Sequence, residues 1–229
     1  MNLSPETFTV LKNFGSINSY LSIEPGRTLR TSAAAGVMAR ATVRETFSAP
    51  IIIHDLNQFL SVAALFNEPD FTFRDRFAKI TGVGTDAKAF YLYGPPLIIT
   101  TMPSNPPGLA NHVIEFDLPE SHWSEIQKAA TVLGKKEIKV VSDGEAVHIQ
   151  TFDHMNPSSH TYVMPLAAEP DGIGCEHILK LSNLQVVKGS YHFAVSAQFT
   201  MLTNTSGLDL MYWVACDPNS TFDVRASAA

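Results

Sequence analysis

Three of the eight histidines, His148, His154 and His160, gather around Asp153, and imidazoles beside a carboxylate are metal-ligand chemistry. Their intervals match no zinc pattern. His148 falls on a strand-like run and the other two flank an Asn156-Pro157 turn, so they read as exposed imidazoles. Cys175 and Cys216 lack the neighbouring histidine or basic cluster that would make a thiolate nucleophile. Gly82-Val83-Gly84 lacks the lysine and the following helix of a phosphate loop. These residues point to no enzyme, no metal and no cofactor.

The other chemistry is charge carried on helix faces. In residues 3–19, Ser4 can accept from the free amides of a helix start, Pro5 suits the first helical position, and Leu3 with Phe8 can form a hydrophobic staple. Phe8, Leu11 and Phe14 then make an apolar stripe, with Thr9, Lys12, Asn13 and Ser16 opposite. A second helix follows Asp55, with Gln58 completing a capping box, Leu56, Phe59, Leu60 and Ala63 inward, and Asn67 and Pro69 as the stop. Its outer face offers Asn57, Gln58 and Ser61 but no cation. A third begins near Pro119, turns Trp123, Ile126, Ala130 and Leu133 inward and Gln127, Lys128 and Thr131 outward, and ends at Gly134. A fourth, short helix is expected from Ser182 and Gln185 as a capping box to Lys188-Gly189, burying Leu184 and Val187.

Strands fill the intervals. Runs at 138–142 and 146–152 flank Asp143-Gly144, a hairpin dipeptide. Residues 208–215 are apolar on both faces, as in a covered central strand. Further strands are expected at 20–23, 29–32, 37–43, 71–74, 79–83, 89–93, 161–166, 176–181, 191–197 and 199–202. The order helix, strands, helix, strands occurs twice, an α+β duplication. Between the copies, residues 95–111 hold several prolines and no charge, and read as a linker between domains 1–94 and 112–229. Its apolar Leu97, Ile98, Ile99 and Met102 are unusual for a free linker.

A chain of 229 residues that is 45% hydrophobic suffices for two domains of roughly 100 residues each. Residues 1–95 carry nine basic and eight acidic side chains, net +1, whereas 112–229 carry seven and fourteen, net −7. A total of −6 excludes a protein that coats nucleic acid by bulk charge. Neither a signal-peptide pattern nor an apolar run of membrane-spanning length is present, so a cytosolic setting with reduced thiols is expected.

The strings LSPETFTVLKNFGSINS, HDLNQFL, KGSYHFAVSAQ and LDLMYWVACD, in this order across a duplicated chain, resemble the sliding clamps of T-even-type bacteriophages. Proliferating cell nuclear antigen is a more distant likeness. The likeness is strongest in the first sixty or so residues and is mainly one of pattern in the middle of the chain. It implies a DNA clamp (processivity) fold: two similar domains, each with two helices packed on antiparallel sheets, assembling head to tail into a homotrimeric ring. The ring would encircle double-stranded DNA without reading sequence and tether the replicative DNA polymerase. A separate clamp loader ATPase would open it, in the cytoplasm of the infected host cell.

The resemblance also implies sites. Helices would line the hole, so Lys12, Lys128, Lys135, Lys136 and Lys188 are expected to face DNA phosphates. Partner tails would dock near Ser32, Ala33, Ala34 and Ala35, Leu97, Ile98 and Ile99 of the linker, and Ala215, Asp217 and Pro218 near the chain end. Subunits would join by sheet edges, Ala89, Phe90, Tyr91, Leu92 and Tyr93 of one meeting Ser159, His160, Thr161, Tyr162, Val163, Met164 and Pro165 of the next. The rival is a β-rich, oligomeric structural or scaffold protein of a virion. Such a protein has no reason to sort lysines onto helix faces against an acidic background.

Overall fold

The structure is a computed structural model, and it describes residues 1–94, 108, 112–168 and 174–222. The expected linker, apart from Gly108, therefore lies outside the described residues. The chain divides into two compact units, one of residues 1–34, 38–106 and 208–210, the other of 35–37, 107–207 and 211–229.

The first unit opens with α1 (Pro5–Ile17), capped where Ser4 Oγ accepts from the Thr7 amide at 3.3 Å. Of the expected stripe Leu11 and Phe14 are buried and Phe8 is half-buried, with Val10 joining the buried face, while Thr9, Lys12 and Ser16 are exposed and Asn13 half-buried on the other. Seven strands follow: β1 (Leu21–Ile23), β2 (Gly26–Ala33), β3 (Val37–Phe47), β4 (Ile51–Ile53), β5 (Asp70–Phe73), β6 (Phe77–Thr81) and β7 (Lys88–Leu92). β1 pairs with β4, β2 with β3, and β5, β6 and β7 form an antiparallel sheet in that order.

Between β4 and β5 lies α2 (Leu56–Ala63), where Asp55 Oδ1 accepts from the Gln58 amide at 2.9 Å. The expected capping box is only half formed. The Asp55 amide donates instead to the Tyr91 hydroxyl at 3.1 Å, and that hydroxyl donates back to the Asp55 carbonyl at 3.0 Å. Gly15 lets α2 approach α1: a Cβ there would stand 2.7 Å from Asn57 Oδ1, and Asn57 Nδ2 donates to the Gly15 carbonyl at 3.2 Å. The Phe59 ring sits 5.5 Å from Phe71 and 5.2 Å from Tyr91, so the helix is seated on the three-stranded sheet through aromatic packing.

The second unit contains β8 (His112–Leu118), α3 (Glu120–Val132), β9 (Glu137–Asp143), β10 (Val147–Phe152), β11 (Val163–Leu166), β12 (Gly174–Lys180), β13 (Tyr191–Ser196), β14 (Phe199–Asn204), β15 (Asp209–Ala215) and β16 (Thr221–Phe222). One antiparallel sheet runs β11-β10-β9-β12-β16, and another contains β8-β13-β14-β15. The β9–β10 turn is made as expected, with Gly144 at φ +91° and Asp143 Oδ1 accepting from the Glu145 and Ala146 amides at 2.9 and 2.8 Å. These bonds hold the exposed Asp143 carboxyl below its ordinary range. α3 ends in a Schellman motif: Lys135 N–H donates to the Ala130 carbonyl at 2.8 Å and Gly134, at φ +65°, to that of Thr131 at 3.2 Å. Tyr212, Trp213 and Val214 of β15 are buried in succession, so both faces of that strand are covered.

Among the described residues three of the four expected α-helices form. Where the fourth was read, the chain makes one 3-10 turn (Leu181–Asn183) and continues irregularly to Lys188. Leu184 and Val187 are buried as expected, but tertiary bonds claim the backbone that a helix would need. The Val187 amide donates to the Tyr212 hydroxyl at 3.1 Å and its carbonyl accepts from the Tyr191 hydroxyl at 2.5 Å. Val186-Val187 is also a β-branched pair of low helix propensity. Three strands went unread: β4, β16 and β8, the last although Ile114, Phe116 and Leu118 are buried in strict alternation with exposed Glu115 and Asp117.

Tyr212→Phe strands a buried amide and is expected to cost about 1–3 kcal/mol of unfolding free energy in urea titration. Ser182→Ala, which would remove the cap of a fourth helix, is expected to change stability by less than about 0.5 kcal/mol.

Candidate functional site

Five lysines were expected to face DNA, and the structure separates them. Lys12 on α1 and Lys128 on α3 stand on exposed polar faces, and Lys136 is exposed just beyond α3. Lys188 is also exposed, but its Nζ lies 3.0 Å from Glu120 Oε1, the first residue of α3. Lys135 departs from expectation. Its side chain is 5% exposed, its Nζ donates to Ser159 Oγ, and Asp153 Oδ2 lies 3.7 Å away. An ammonium so enclosed ties two loops together and is unavailable to a phosphate. α2 exposes Asn57, Gln58 and Ser61, the uncharged face read from its spacing.

Both strands expected at subunit contacts lie at sheet edges. β7 pairs only with β6, and β11 only with β10, among the described residues. On β7 the side chains alternate: Phe90 is 54% and Leu92 72% exposed, while Tyr91 is buried and bonded to Asp55. The Phe77 ring packs edge-on against Phe90 at 5.4 Å, extending the apolar surface across two strands. Ala89 and Tyr93 are half-buried, and burial pushes the Tyr93 hydroxyl up to about 12. On β11, Val163 and Pro165 are exposed and Met164 is buried. Ahead of it His160 and Thr161 are exposed, Ser159 receives the Lys135 ammonium, and Tyr162 donates from its hydroxyl to Glu125 of α3. That bond raises the tyrosine's pKa.

The expected partner surface is only partly described. Leu97, Ile98 and Ile99 lie outside the described residues. Ser32 and Ala33 are half-buried at the end of β2, and Ala34 is exposed. In the second unit the Ala215 amide donates to the Gly36 carbonyl at 2.8 Å, and Asn183 Nδ2 donates to the Ala35 carbonyl at 3.0 Å. Gly36, at φ +84°, is required there, because a Cβ would stand 2.7 Å from that of Ala215. Pro218 is exposed, while Asp217 bonds the Asn219 amide at 3.0 Å and lies 3.4 Å from Lys180 Nζ. The Asn219 amide, with Lys180, lowers the Asp217 carboxyl's pKa.

The histidines do not converge. His148 lies on β10, His160 is exposed, and His154 Nδ1 contacts both carboxylate oxygens of Glu137 at 2.9 and 2.8 Å. No group of three or more histidines, cysteines and carboxylates among the described residues could hold a metal ion. Cys175 is buried and Cys216 half-buried, and neither forms a disulfide. Sequence reasoning missed the Tyr91–Asp55, Tyr162–Glu125 and His154–Glu137 bonds. Each joins residues far apart in the chain, and no local spacing signals them.

No family model matches the chain. It is 27% identical over 222 residues to a sliding clamp of Vibrio phage KVP40, across 95% of this chain and 99% of that protein. A sliding clamp of Enterobacteria phage T4 is 23% identical over 229 residues, across 97% and 100%. Among solved structures, PCNA of A. fulgidus bound by the C-terminal region of FEN-1 superposes with a TM-score of 0.69 at 15% identity, covering 93% of this chain and 96% of that one. This is the DNA-clamp fold. The chain aligns with those proteins over nearly its whole length, and the clamp fold is the one the resemblance implied.

Lys135→Met is expected to lower stability of this clamp-fold chain by about 1–2 kcal/mol, by breaking enclosed bonds to Ser159 and Asp153. Lys128→Ala, on an exposed face, is expected to stay within about 0.5 kcal/mol by the same urea titration.

Proposed function

We propose that this chain is a sliding clamp: three copies close head to tail into a ring that surrounds duplex DNA and holds the replicative polymerase for processive synthesis. Residues 1–94 and 112–229 would be its two clamp domains, joined by 95–111. The observation that carries this reading is the pair of sheet edges, β7 in one unit and β11 in the other, each bearing exposed apolar side chains. A chain with one such edge in each of two similar units can add strand to strand in a cycle, and closure removes the edges.

Lys12, Lys128 and Lys136 supply the exposed cations for phosphates, and Lys188 joins them when Glu120 releases it. Few cations without base-reading side chains suit a protein held by topology, because tight phosphate contacts would oppose sliding. The chain has no chemistry of its own in this reading, and a loader ATPase opens the ring. Its partners dock beside Ala35 and Ala215, near Pro218. The phage origin of the aligned proteins supports a setting in the cytoplasm of an infected host cell. No described helix is long and apolar enough to cross a membrane.

Sedimentation across a concentration series should reveal a trimer, and the trimer, once opened and loaded by a clamp loader ATPase, should be retained on circular DNA while escaping from linear DNA with open ends. A monomer at every concentration, or equal retention on both forms, would remove the proposal; a virion scaffold gives the second result. Leu92→Asp is expected to weaken association roughly ten- to hundred-fold in the same sedimentation series. Replacing Lys12, Lys128 or Lys136 by Ala should leave the trimer intact and reduce the salt slope of DNA binding by about 1 per lysine.

A further inference from the structure

β11 begins at Val163, and the ten residues before it are fastened to the body of the second unit at several points. His154 Nδ1 contacts Glu137 Oε1 and Oε2 at 2.9 and 2.8 Å, and the His154 amide donates to Glu137 Oε2 at 3.3 Å. Lys135 Nζ reaches Ser159 Oγ and Asp153. Tyr162 donates through its hydroxyl to Glu125 on α3, and its amide and carbonyl bond the Thr151 hydroxyl and amide at 2.9 and 3.0 Å. Within the segment, the Asn156 amide donates to the Asp153 carbonyl at 3.1 Å and the Ser159 amide to that of Asn156 at 3.0 Å.

One of these ties depends on a proton. Glu137 has a side chain only 7% exposed, and both of its carboxylate oxygens contact the imidazole of His154. The other charged groups around His154 are Asp153 on its own segment, paired with Lys135, and Asp217, paired with Lys180 of β12. Asp153 and Asp217 each hold a lysine of their own, and Glu137 is the carboxylate that bonds the ring. The Glu137 bond, then the charges of Glu137, Asp217 and Asp153, raise the imidazole above its ordinary 6.5. A group raised in the folded state stabilises fully below the ordinary value and loses that contribution as pH climbs through the raised one. Above it, a neutral Nδ1–H still bonds Glu137, but the bond to a nearly buried carboxylate loses its charge assistance, and the segment is held less firmly.

We infer that residues 153–162 form a clasp, locked by protonated His154 on Glu137, that positions the β11 edge to receive a strand from a second copy of this chain. The inference rests on the ring reading above and adds a regulator to it: assembly is tighter in mildly acidic solution and loosens as the imidazole loses its proton. The clasp works through the order of the segment, since His154 itself need not touch the second copy.

The test is sedimentation over a concentration series at about pH 6 and about pH 8.5, for the native chain, His154→Gln and His154→Lys. The native chain should associate several-fold more tightly at the lower pH. His154→Gln, neutral throughout, should associate weakly at both, and His154→Lys, charged throughout, tightly at both. Equal association of the native chain at the two pH values overturns the clasp and leaves the ring reading standing, as does an undiminished pH effect in His154→Gln. A native chain that stays monomeric under every condition overturns the ring reading, and the clasp's role in assembly with it.

Discussion

A strand whose outer amides and carbonyls meet no partner is a template for whatever extended chain arrives next, and the functional reading depends on that constraint. Among the described residues β7 and β11 each pair on one side only, and neither is blunted by a row of charges. Phe90, Leu92 and Val163 are exposed on them. Apolar side chains on a bare edge are a liability in a monomer, and they become an asset when the same edge is covered by a defined partner. A cyclic arrangement is the economical solution, since one interface repeated around an axis conceals every edge at once.

Each edge is anchored to a helix of its own unit through a tyrosine hydroxyl. Tyr91 of β7 closes a two-way bond with the backbone of Asp55, the residue that caps α2. Tyr162, the residue before β11, bonds Glu125 on α3. The edges are therefore held by the same elements that present the chain's polar faces. In the proposed ring, the helix that fronts DNA and the strand that meets the next subunit are one mechanical piece, so strand addition requires little rearrangement and loses little entropy.

Charge is distributed in keeping with loose containment. The chain carries a net −6, yet exposed lysines stand on α1, on α3 and beside them. Some lysines are used otherwise: Lys135 binds two loops together, Lys139 pairs with Glu176 at 2.9 Å, and Lys180 pairs with Asp217. In the proposed ring such a surface would attract phosphates over short range and repel them elsewhere, favouring passage over capture.

Much of this molecule was legible from residue order alone. Caps at Ser4 and Asp55, the stop at Gly134, the Asp143-Gly144 turn and the apolar stripes of α1 and α3 are interactions within a few residues, so local spacing determines them. The β8 alternation was equally local and lay in plain view between the linker and Pro119. Tertiary structure decided what depends on neighbours far along the chain. Tyr191 and Tyr212 took the Val187 backbone and cancelled a helix, Tyr91 displaced half of a capping box, and Asp153 with Ser159 enclosed a lysine that the resemblance had set facing DNA phosphates. A buried backbone or charged group binds whichever partner the fold brings to it, and only the folded chain specifies that partner.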